Sequence, residues 1–139
     1  MKYIYRNIIL FSTVLSFSCA AQKENKEVLE ITYEAQTRGH SETILYKQNT
    51  LVHKVNTSQK EHVLSDKNQK SLREVVSKIK VVEISKLKAP SERRIFDGAM
   101  TTTISIKKGE KTYTSSSFDH DNPPKALKPL ITLLKNFLK

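Results

Sequence analysis

The chain has 139 residues, with 24 Lys and Arg against 14 Asp and Glu, a formal net charge of +10 at pH 7. That length suits one domain around one core, and 3 glycines with 1 cysteine exclude a phosphate-cradling glycine loop and a disulfide framework. The basic balance fits an anionic envelope component or protein as partner, or simply a lysine-wetted surface, and no signature of nucleic-acid recognition is present.

Residues 1–19 read as a secretion signal. Lys2 and Arg6 supply its positive start, Ile8 to Phe11 and Val14-Leu15 its apolar run, and small residues follow at Ser16, Ser18, Ala20 and Ala21. The apolar run falls short of the roughly 20 residues that span a bilayer, and no later stretch approaches that length. Cys19, the single cysteine, stands where the run ends, so Leu15-Ser16-Phe17-Ser18-Cys19 resembles the lipobox of bacterial lipoproteins. That resemblance implies lipidation at Cys19 and a membrane anchor for everything after it. Ser16 occupies a position that is aliphatic in the lipobox, and the alternative is cleavage after Ala20 or Ala21 with release of a soluble secreted protein. Residues 20–27 then form a polar, aperiodic tether, and residues 28–139 a single domain expected to be monomeric.

From Val28 to Gln36 apolar and polar residues alternate at period two, the pattern of a half-buried strand. Gly39 turns the chain into a second strand over 42–47, Gln48-Asn49 into a third over 50–56, and a short fourth covers 61–64, together an antiparallel meander. Ser65 is the N-cap of an amphipathic helix of about 15 residues whose stripe is Leu72, Val75, Val76 and Ile79, with lysines on its other faces. An apolar connection over 81–87 packs beneath the sheet, and Pro90 opens a loop over 88–94. Asp97-Gly98 turns, and residues 101–107 and 110–118 form a hairpin around Lys108-Gly109. Asp121 or Asn122 caps a last helix with a proline in its first turn, unless Pro129 delays its start, and Leu130, Ile131, Leu133, Leu134, Phe137 and Leu138 are its apolar face. The fold class is α+β: one antiparallel sheet, meander plus hairpin, with two helices on one face.

Chemistry-bearing residues concentrate in two places. Asp119-His120-Asp121 sets a histidine between carboxylates, which suits a metal ligand or a base, although neighbours in an extended segment point to opposite sides. Arg93-Arg94 beside Asp97 can fork onto a carboxylate or phosphate, or pair within its own loop. His40, His53 and His62 have no carboxylate or cysteine at ligand spacing, and Ser115 to Ser117 lack a nucleophile elbow, so no cofactor or metal is called for. The set Leu87-Lys88-Ala89-Pro90-Ser91, Phe96-Asp97-Gly98-Ala99 and Phe118-Asp119-His120-Asp121-Asn122-Pro123-Pro124 resembles a family of small exported bacterial proteins in which these turns recur around a hairpin. The resemblance implies a shared fold and brings no activity with it. Since the turns flank the two ends of one hairpin, Asp97-Gly98 and Asp119-His120 are expected on one side of the domain, as a joint site or a structural lock, and Arg93 and Arg94 are further candidate binding residues. The leading expectation is an envelope-tethered, non-enzymatic binding or structural module. The alternatives are a hydrolytic or metal-assisted enzyme using His120 with Asp119 or Asp97, and an inhibitor of an envelope-attacking enzyme that presents residues 88–94.

Overall fold

The computed structural model describes residues 29–139, so the signal, Cys19, the tether and Val28 lie outside the described residues. Strands β1 (Leu29–Thr37), β2 (His40–Lys47), β3 (Thr50–Val55) and β4 (Ser58–Val63) form the expected meander, followed by helix α1 (Asp66–Ser77). The second half brings β5 (Thr101–Lys108), β6 (Lys111–Thr114), the two-residue β7 (Phe118–Asp119) and helix α2 (Lys128–Asn136). The two halves share one sheet. β5 pairs antiparallel with β1, giving the order β4-β3-β2-β1-β5-β6, and β7 adds to the start of β5.

Alternation decides which face is covered. On β1, Ile31, Tyr33 and Ala35 are buried while Thr32, Glu34 and Gln36 point to the opposite face. Register aligns them with Tyr46 and Ile44 on β2 and with Ile106 and Ile104 on β5, so an apolar ladder crosses the three central strands. Leu72 and Val76 of α1 and Leu130, Ile131 and Leu134 of α2 close onto this face, each contributing about 1.5–3 kcal/mol by burial. The α+β arrangement with both helices on one face is therefore the observed one. Gly39 (φ +76) and Gly109 (φ +59) sit in left-handed conformations at the β1–β2 and β5–β6 turns, where a side chain would strain the backbone.

Several elements depart from the sequence reading: β4 starts at Ser58 and not at 61, and Val81–Lys86 form a 3-10 helix within the apolar connection. α1 has 12 residues, with Ser65 Oγ accepting the Asn68 N–H at 3.3 Å as expected of the cap. β6 stops at Thr114 because Ser115 turns inward: it donates its N–H to the Ile104 carbonyl and its Oγ accepts the Ile104 N–H at 3.1 Å. Neither Asp121 nor Asn122 caps α2, which starts at Lys128 with Pro129 in its first turn. Those two side chains have other partners, and proline, lacking an N–H, is tolerated where a helix needs none.

Candidate functional site

After Pro90 the chain leaves regular structure, and Arg93–Phe96 form one 3-10 turn. Asp97 ends it in a left-handed conformation (φ 56), and the Gly98 N–H bonds the Arg93 carbonyl at 2.9 Å. This loop is held from below. Pairing of β7 with β5 sets the Asp119 carboxylate, 0 % exposed, beneath residues 91–94. Oδ2 accepts the Ser91 hydroxyl at 2.7 Å and the Arg93 N–H at 2.9 Å; Oδ1 accepts the Arg94 N–H at 3.1 Å and Arg94 Nη1 at 3.3 Å.

Burial alone pushes the Asp119 carboxyl pKa up. Hydrogen bonds from Ser91, from the Arg94 and Arg93 N–H groups and from the Arg94 guanidinium outweigh that cost and bring it down to about 2. Around this centre Asn122 Nδ2 donates to Ser91 Oγ at 2.9 Å, and Arg94 reaches the Ser91 carbonyl at 2.8 Å and Ser117 Oγ at 3.3 Å. Arg93 bonds Asp121, which raises the pKa of the arginine and holds the carboxyl below its ordinary range. The whole cluster is an ion-pair lock joining residues 91–94 to residues 117–122.

His120 belongs to a different contact. The Met100 N–H donates to its Nδ1 at 3.2 Å, and its own N–H bonds the Met100 carbonyl at 3.2 Å. A backbone N–H can only donate, so Nδ1 is the acceptor and the ring proton sits on Nε2. Asp97 is exposed, 3.8 Å from Arg38, and with Arg38 and Arg94 lines a cleft of about 330 Å³ in which His120 has no part. Of the five candidate residues, Asp119, Arg93 and Arg94 are brought together, while Asp97 and His120, expected to share a site with Asp119, have separate partners. Both oxygens of Asp119 are occupied by the loop, so it is built to hold a position and not to take a proton. Among the described residues no group of three or more His, Cys, Asp or Glu side chains is placed to hold a metal ion, and no helix is long and apolar enough to cross a membrane.

The lock supports an exposed tip. Ile95 is 60 % and Phe96 84 % exposed, while Ser91 and Arg94 of the 88–94 segment turn inward. Sequence reasoning passed over this pair. The available signal was two large apolar residues, with no helical or strand period, between Arg94 and Asp97 in a charged loop. The turns that carried the family resemblance all fall in this region: Phe118 and Pro124 are buried, Asp119 and Asn122 bind Ser91, and His120 binds Met100. Comparison with protein-family models, with curated proteins and with solved structures finds no match to the chain.

Proposed function

We propose that the chain is an envelope-tethered, non-enzymatic binding module whose contact element is the 91–97 loop and whose partner there is a protein. The observation that carries this reading is the use of one buried carboxylate: all four of its close bonds fix a loop whose outermost side chains are an unburied phenylalanine and isoleucine. Fixing an apolar tip does little for the core, whereas it removes about 0.5–1.5 kcal/mol of ordering cost per side chain when that tip enters a partner's pocket. Aromatic and arginine side chains are the usual energetic centres of such contacts. Arg38 meets Asp97, and Arg93 and Arg94 meet Asp119 and Asp121, in or against the loop, so that even with Glu92 the tip carries little net charge and suits an apolar socket. A cleft on an envelope-attacking enzyme is one such socket, which is the form the inhibitor alternative takes. The Cys19 anchor would hold the tip at high local concentration near envelope partners.

A photo-reactive phenylalanine analogue at position 96, in the full chain in living cells, tests the contact. Val63, 82 % exposed on edge strand β4, is the control position. A discrete cross-linked protein from position 96 alone is expected, and no adduct, or equal adducts from both positions, would remove the proposal. Mass spectrometry of the mature terminus tests the anchor: a lipid-modified Cys19 is expected, and a terminus at Ala21 or Gln22 would replace tethering with secretion.

A further inference from the structure

Charge is distributed unevenly over the domain. Residues 66–80 carry Lys67, Lys70, Arg73, Lys78 and Lys80 against Asp66 and Glu74, and residues 125–139 carry Lys125, Lys128, Lys135 and Lys139 with no acidic side chain. The two helices and their flanks thus hold 9 basic side chains against 2 acidic, while the rest of residues 29–139 holds 11 against 10. Nearly all the excess charge lies in the helical layer. The uncovered sheet face, by contrast, is mixed in sign, with Lys47 3.1 Å from Glu30.

The same layer has an apolar feature. Between α1 and α2 runs an open groove of about 400 Å³ lined by Val75, Pro129 and Leu133 together with Thr132 and Asn136, and by Lys125 and Lys128, both exposed. We infer that the helical layer is a docking surface for an anionic bilayer, with Lys125 and Lys128 on headgroup phosphates and the groove turned to the acyl boundary. A soluble polyanion would satisfy the lysines and leave the groove uncovered, whereas a bilayer surface offers both chemistries at the right depth. Basic residues at such a surface act over a short range, since salt screens them within about 10 Å at 0.1 M ionic strength. A chain anchored beside the membrane is already inside that range. The inference adds an orientation to the tethered reading and rests on it for the setting, while the charge segregation stands without it.

The test uses the full chain purified from membranes and reconstituted on vesicles of phosphatidylcholine alone or mixed equally with phosphatidylglycerol. Brief acetylation followed by mass spectrometry reads the accessibility of each lysine. At low salt, Lys125 and Lys128 are expected to react several-fold more slowly on the mixed vesicles, with Lys54 and Lys60, exposed on β3 and β4, unchanged. The double variant Lys125→Gln, Lys128→Gln, at two exposed positions, should weaken the remaining protection of Lys67 and Lys70 about fivefold per lysine removed, the equivalent of about 1 kcal/mol each. Added salt should erase the protection. Equal accessibility on both vesicles would overturn the inference. So would protection on phosphatidylcholine alone that grows with protein density, which would assign the groove to a second copy, and equal protection by soluble dextran sulfate without vesicles. Failure to associate with phosphatidylcholine speaks against the anchor, and the headgroup comparison on mixed vesicles still decides the docking surface.

Discussion

Replacing Asp119 by Asn keeps the size of the side chain and removes its charge and one of its two acceptor oxygens. Oδ1 and Oδ2 each accept two bonds, so an amide nitrogen in either place faces two donors, and Arg94, whose side chain is 13 % exposed, loses its counter-charge. Removing one partner of a buried pair costs about 3–5 kcal/mol, and the retained oxygen argues for the lower end, about 3 kcal/mol at neutral pH. Proton linkage supplies a second magnitude. A carboxyl lowered from 3.8 to about 2 on folding contributes on the order of 2 kcal/mol at about 1.36 kcal/mol per pKa unit. Because the folded value is the lower one, this stabilisation is complete above the unfolded pKa and is lost as pH falls through about 2. Urea unfolding followed by circular dichroism, on both proteins from neutral to acid pH, measures the difference. A constant gap of about 3 kcal/mol from pH 7 to about 5, narrowing by about 2 kcal/mol at lower pH, is expected. A gap below about 1 kcal/mol at neutral pH, or one that widens on acidification, would refute the lock. Trypsin offers a local check, since Arg93 and Arg94 should become cleavage sites in the native variant before the domain unfolds.

Two further substitutions separate support from presentation. Phe96→Ser, at a side chain 84 % exposed, should leave the urea midpoint within about 0.5 kcal/mol of the parent, and a larger loss would mean the ring packs in the fold. Tyr33 is 0 % exposed and its hydroxyl meets no hydrogen-bond partner among the described residues. Tyr33→Phe should therefore raise stability by about 1 kcal/mol in the same assay, and a loss of that size would reveal a partner for the hydroxyl.

Local patterns carried most of the fold. The alternation of β1, the Ser65 cap and the apolar stripe of α1 were legible because each depends on residues within a turn or two of its neighbours. The pairing of β1 with β5 was not, since nothing in either strand names the other; their common apolar ladder exists only once the register is set. Asp119 illustrates the same limit at the site. Its residue type and its place on the side of the Asp97-Gly98 turn were legible, but its acceptor role depends on partners 25 to 28 positions away that β7 brings within reach. The capping expectation for Asp121 and Asn122 failed for a related reason, because a distant arginine and serine use both side chains. Ile95 and Phe96 carried no periodic signal, so their exposure could be read only from the coordinates.

The β1–β5 pairing also sets an order of events. Residues 91–97 precede β5 and residues 117–122 follow β6, so the lock between them closes only after the hairpin has folded back. That hairpin in turn pairs with β1, across most of the domain's length. Contacts so far apart in sequence form late, because the entropy of closing the loop precedes the reward. The tip is therefore expected to take its final shape late, as the second half of the domain is completed. Without the bonds to Asp119, Ile95 and Phe96 would lose the support that fixes residues 91–94. If the tip is the contact element proposed above, completion of folding would be coupled to competence for recognition, with no additional device needed to delay it.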